Sequence, residues 1–349
     1  MQTMQDWPSF GLVADMRPAL AAARERGRAV ALATLHSSSG GAPRGLGAQM
    51  LVGAEAVTGF LSGGCVEADV ALRARGVLTG GDPLRLVYGE GGPFDIRLAC
   101  GGRIDVLLER IAPDDPAIGA LLDAAERRVP ALLLSDGLRR ACLRANETPE
   151  VLPAHFARTA ALARSSTACA GSGKQLEGIV FRRFAPVQRL VVLGHDPVAL
   201  ALAQLGVLGG MEVFLVRPKG PAAPPPIPGL RAYLRGAPGE ALTEIGLDTW
   251  TAVAIATHDD FLDQAALLAA LPSRAGCVGL LGSARRLPRT RARLKAAGLD
   301  AGAVARLKAP IGLPLGGKTP WEIAVSILAE VYATANAAAA AQPASVAAA

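Results

Sequence analysis

Between Arg189 and Val216 the chain reads strand, tight turn, helix, tight turn, strand. Arg189-Leu-Val-Val-Leu193 is a short apolar run, Gly194-His195-Asp196-Pro197 turns it into a helical pattern over 198–208, and Gly209-Gly210 end that helix before Glu212-Val-Phe-Leu-Val216. A strand–helix–strand unit of this length closes as a right-handed parallel pair, so this part of the chain is committed to a parallel sheet with helices on its faces. In such a sheet the first turn carries glycines that let backbone approach a dinucleotide's diphosphate. Here Asp196 stands at the middle glycine, where its carboxylate would repel a diphosphate. Arg217 ends the second strand, where an acidic residue would hold a ribose. The segment therefore reads as a Rossmann-like fold with a weak dinucleotide signal, and NAD(P) is a candidate ligand on fold alone.

The pattern continues with a strand at Ala252–Thr257, a helix over 262–271, a strand at Cys277–Leu281 and a basic helix to Ala297. Ligands of open parallel sheets gather beyond the carboxyl ends of the strands. At those ends the sequence places His195, Asp196, Arg217, His258, Ser283 and Arg285, a set that suits a phosphate-bearing ligand and could move a proton through a histidine. Gly312-Leu-Pro-Leu-Gly-Gly317-Lys318-Thr319 spells a P-loop, but too little chain follows to supply its metal-binding acid. Thr319-Pro320-Trp321-Glu322 is a capping box that opens a helix to about 333 instead. The expected domain runs over 187–335, and the alanine-rich 336–349 is expected to be disordered.

The first 186 residues have a different pattern. A helix at 13–27 and a strand at 28–35 lead to a loop, His36 to Gly47, whose Ser and Gly residues offer backbone N–H groups beside Arg44. Ala48–Val52 and Ala56–Leu61 read as a hairpin turned at Gly53. Strands follow at 84–88, 103–111, 130–134, 140–144 and 178–184, with helices from Cys65 to about Gly76 and over 115–128, while 145–176 is least regular. The fold expected is α/β, an N-terminal mixed α/β domain (1–186) followed by the C-terminal Rossmann-like doubly wound domain.

Five cysteines, widely spaced and without a CxxC pair, are no disulfide framework. The N-terminus has no signal-peptide pattern and no stretch reads as a membrane span, so a cytoplasmic protein is expected. A net charge of +6 without a block of consecutive basic residues, and 4% aromatics, argue against nucleic-acid binding. Cys142 and Cys169 lack glycine context, and Cys277 opens a buried strand. Cys65 and Cys100 differ: Ser62-Gly63-Gly64-Cys65 and Cys100-Gly101-Gly102 set bare backbone beside each thiol. Cys65 would stand at a helix N-terminus, which favours a thiolate. The residues leave three readings open: a nucleophilic thiol, a redox pair, or soft ligands for a metal-bearing cofactor.

The strings Ser39-Gly-Gly-Ala-Pro-Arg44, Ser62-Gly-Gly-Cys-Val-Glu67, Cys100-Gly-Gly, Thr257-His258-Asp259, Gly279-Leu-Leu-Gly-Ser283 and Lys318-Thr-Pro-Trp-Glu322, in this order, resemble the xanthine dehydrogenase accessory factors of the XdhC/CoxI family. The resemblance implies a non-catalytic maturation factor. It would bind molybdenum cofactor, as molybdopterin or its cytosine dinucleotide form, support sulfuration by a cysteine desulfurase, and deliver it to the apoenzyme of a molybdenum hydroxylase. It implies Cys65 and Cys100 as thiols for the metal, with Gly63, Gly64, Gly101, Gly102 and Arg44 about the cofactor and His258, Ser283 and Arg285 as further contacts. Asp196, Arg217 and Lys308 depart from the family pattern and bear on nucleotide binding by the second domain. An NAD(P)-linked oxidoreductase and a sulfurtransferase using Cys65 are the alternatives, and a homodimer is a candidate assembly.

Overall fold

The computed structural model describes residues 9–41, 44–90, 92, 96, 98, 101–165, 174–176 and 178–341. The chain divides after Pro186 into two compact units.

The first unit begins with helix α1 (Arg17–Glu25) and strand β1 (Val30–Ser39). Strands β2 (Gln49–Val52) and β3 (Val57–Gly59) form the expected hairpin, and helix α2 (Glu67–Leu78), β4 (Leu84–Gly89) and β5 (Arg103–Ile111) follow. These strands make one antiparallel sheet in the order β3-β2-β1-β5-β4. Helix α3 (Pro116–Glu126), β6 (Ala131–Ser135), β7 (Arg140–Arg144), α4 (Ala154–Ser165), β8 (Lys174–Leu176) and β9 (Ile179–Phe184) complete the unit, with a second antiparallel sheet in the order β7-β6-β9-β8.

Alternation along β1 explains the layering. Ala31, Ala33 and Leu35 pack with Val66, Val70, Ala74 and Val77 around α2. Val30 and Leu32 face the other way, into a core shared with α1, α3 and β6. Leu132, Leu134 and Phe181 then bury the far face of the second sheet against Phe156 and Ala160 of α4.

Two expectations fail here. His36 does not open a loop, because β1 keeps pairing with β5 down to Ser39 opposite Arg103, with a register shift between Leu35 and Ser37 that places His36 in a bulge. The stretch 145–176 is not all irregular either, since α4 lies within it.

The second unit is a six-stranded parallel sheet in the order β12-β11-β10-β13-β14-β15. Its elements are β10 (Arg189–Gly194), α5 (Pro197–Leu208), β11 (Glu212–Val216), β12 (Ala232–Leu234), α6 (Pro238–Ile245), β13 (Thr251–Ala256), α7 (Asp260–Ala270), β14 (Cys277–Leu280), α8 (Leu287–Ala296), α9 (Ala301–Ala305), β15 (Leu307–Lys308) and α10 (Pro320–Ala341). The strands are apolar on both faces because both are covered. Leu190 and Val192 pack with α5 and with Ala324, Ile327 and Val331 of α10. Val191 and Leu193 meet α6, α7, α8 and α9 on the opposite face. Helix α10 continues past its expected end near 333 to Ala341, which corrects the start of the disordered tail: alanine has the highest intrinsic helix propensity. Cys277 lies in this core, where burial pushes its thiol up, and burial pushes Cys142 up to about 12.

Candidate functional site

In the first unit the site is organised by Glu67, the first residue of α2, whose side chain is fully buried. A buried carboxyl is costly unless hydrogen bonds replace its water. Here the backbone N–H groups of Leu61 (2.9 Å), Ser62 (2.7 Å), Gly64 (3.0 Å) and Val66 (3.2 Å) donate to it, and the Ser62 hydroxyl joins at 2.9 Å. The loop before α2 is therefore folded around an internal acceptor. Its donors at these four positions point inward, and the dipole end of α2 is answered by Glu67 rather than left for the thiol. Gly64 takes φ +98°, which only glycine adopts readily, and the space beside Gly63 and Gly64 is open. Cys65 is exposed on this outer side.

A second loop lies beyond the end of β1. Gly41 forms a parallel bridge with Gly101, and a Cβ on Gly102 would collide with the carbonyl oxygens of Ser39 and Gly41. Gly102 is thus a packing seam between two backbones, whereas Gly101, at φ +68°, has open space where a side chain would begin. Arg44 reaches the Phe60 ring, its guanidinium carbon 5.9 Å from the centroid, and Phe60 directly precedes Leu61 and the Glu67-bound loop. Cys100 lies outside the described residues, so the expected pairing of its thiol with Cys65 has no geometry here. Among the described residues no three His, Cys, Asp or Glu side chains come together as a metal-binding set. A lone exposed thiol fits a metal that brings other ligands with it.

Sequence reasoning passed over two neighbours of this region. Arg182 of β9 hydrogen-bonds the Gln49 side-chain oxygen and stacks 4.4 Å from the Phe184 ring centroid. Burial, with the charges of Arg17 and Arg44 against that of Asp15, lowers its guanidinium to about 10. His36 is buried with both ring nitrogens unpartnered. Its signal in the sequence was a polar residue continuing an apolar strand.

In the second unit the ends of β10 and β13 run side by side, Gly194 opposite Ala256. Two residues beyond each, Asp196 and His258 meet: Nε2 of His258 lies 2.8 Å from Oδ2 of Asp196. The other Asp196 oxygen accepts the Ala199 N–H at 2.8 Å and caps α5. Residue 258 holds a left-handed φ of +58°, an uncommon conformation for a side chain of this size. Thr257 donates to Asp263 at 2.5 Å, and burial pushes the Asp263 carboxyl up. Ser283 caps the turn after β14 by accepting the Arg285 N–H at 3.3 Å, and Arg285 is exposed. The P-loop-like string closes on Glu322 as a capping box, with the N–H groups of Lys318 and Thr319 donating to its carboxyl at 3.1 and 2.9 Å.

Comparison with known proteins places these features. The family model described as the XdhC and CoxI family matches residues 23–89, and that of the XdhC Rossmann domain matches residues 190–331. The molybdenum cofactor insertion chaperone PaoD of Escherichia coli is 31% identical over 87% of this chain and 83% of its own. The chain belongs to the XdhC and CoxI family. A second XdhC/CoxI relative, from Bacillus subtilis and described as a probable xanthine dehydrogenase component, is 28% identical over 87% of this chain and 92% of its own. The XdhC/CoxI fold is shared with a crystal structure described as a xanthine dehydrogenase from Bacillus halodurans, with a TM-score of 0.76 at 22% identity, over 94% of this chain and 98% of that one.

Proposed function

We propose that this XdhC/CoxI protein is a maturation factor that binds molybdenum cofactor, supports its sulfuration by a cysteine desulfurase and hands it to a molybdenum hydroxylase of the xanthine dehydrogenase type. The likeness to an insertion chaperone over most of both chains supports the class. The observation that carries the site is Cys65, exposed at the crest of a loop held from beneath by Glu67. Cys65, with Cys100, is assigned the soft metal end. Arg44 is assigned the phosphate end, and Gly63, Gly64 and Gly101 leave room for close approach. The cofactor supplies the metal chemistry; the chain binds, orients and releases.

The dehydrogenase alternative is disfavoured by Asp196, which stands where a diphosphate would rest and spends one carboxylate oxygen on the α5 cap and the other on His258. The test is pterin retention after purification, read by fluorescence of the oxidised pterin, in wild type, Cys65→Ser and Cys100→Ser. Retention should fall at least tenfold in each variant. Equal retention in all three proteins would overturn the thiol assignment, and a persulfide mass on Cys65 during turnover with a thiol acceptor would favour the sulfurtransferase.

A further inference from the structure

One cleft in the second unit is used by nothing described so far. It opens beyond the carboxyl end of β14, between α7 and α8, with Leu280 and Leu294 in its floor and Ser283, Arg286, Thr290 and Arg293 along its walls. This is the edge of a parallel sheet where ligands bind, one strand away from the β10–β13 seam that Asp196 and His258 occupy. Two guanidinium groups converge on one carboxylate: Arg293 lies 3.1 Å and Arg286 3.6 Å from the two oxygens of Asp260. The second acid of the cleft, Asp263, is committed to Thr257 and shifted toward its neutral form by burial. The cleft thus holds a surplus of positive charge, and Arg285 and Arg289 add to it from exposed positions on the same segment. Space beside Gly282 is open, so backbone there can be approached closely.

We infer that this cleft is a binding site for a phosphate monoester, held by Arg286 and Arg293 with the hydroxyls of Ser283 and Thr290, while Asp260 is the internal counter-ion that the ligand competes against. Guanidinium groups suit phosphate because their planar donors pair with two oxygens at once. The apolar floor accepts the uncharged part of an ester. This site goes beyond the cofactor reading, which rests on the first unit.

The probes are inorganic phosphate and AMP, titrated calorimetrically into the full chain at low salt. Both should bind saturably. Arg286→Ala and Arg293→Ala should each weaken binding about tenfold, the loss of one charge-assisted hydrogen-bonding group. Asp260→Asn should tighten binding several-fold, because the competitor is gone. The arginines are exposed, so thermal melting should show each variant folded. Cys65→Ser should leave the isotherm unchanged, which separates failure here from failure of the cofactor assignment. Absence of saturable phosphate binding, binding indifferent to both arginine variants, or weaker binding to Asp260→Asn would each overturn the inference.

Discussion

His36 shows how a single side chain can set a pH limit. It sits in the β1 bulge, 4% exposed, and its imidazole is lowered to about 4 by burial and by the Arg85 charge, against a smaller opposing pull from Asp105. In the unfolded chain the same group titrates near 6.5, so between these values the unfolded state binds the extra proton. Stability is therefore full above about pH 6.5 and falls as the pH drops toward 4, by on the order of 3 kcal/mol from this residue. Urea midpoints of wild type and His36→Phe at pH 7.5 and 4.5 check this. The variant should lose clearly less stability between the two, and at pH 7.5 should be at least as stable, because two orphan polar atoms are gone. An unchanged pH slope would show that other groups govern the acid limb.

At the level of elements, the two sheets of the first unit are stapled by a buried charge network rather than by apolar contact alone. Arg140 of β7 reaches Glu109 of β5 at 2.5 Å and Asp115, the N-cap of α3, at 2.8 Å, and the Ser135 hydroxyl also donates to Glu109. Arg140→Met should cost about 3–5 kcal/mol, the usual penalty for leaving buried acids without their partner. Adding Glu109→Leu should recover part of that loss, as chemical denaturation of both variants would measure.

The elements themselves were legible where period and length agreed. The β10–α5–β11 unit and the β2–β3 hairpin follow from apolar runs and glycine turns. Helix α4 also carried its signal, Phe156, Ala160 and Ala163 at i, i+4 and i+7, but its polar flanks hid it. The three-residue β12 and the two-residue β15 are too short for any period and depend on neighbours for their pairing. The site was legible in parts: residue types and glycine spacing marked Cys65 and the Gly41–Gly101 seam. Sequence alone does not reveal that Glu67 turns the loop inward, or that Asp196 finds His258 across some sixty residues of chain, because those depend on folded geometry.

At the scale of the whole molecule, each cluster of buried apolar residues belongs to one unit only. The cores can therefore be perturbed separately. Leu202, 1% exposed on α5, is central to the second. Leu202→Ala should cost about 2–5 kcal/mol. In calorimetry it should lower the transition of the second unit while pterin retention persists at temperatures below it. Loss of both together would mean that the units fold as one.

The carboxyl of Glu67 has a consequence for traffic through the site. A glycine loop that gripped its cargo with its own N–H groups would come undone whenever the cargo left, and each new capture would have to order it again. Here the ordering is done once, during folding, by a side chain that never leaves. The empty and the loaded loop present the same thiol at the same place, so loading and unloading can repeat without the protein having to rebuild its grip.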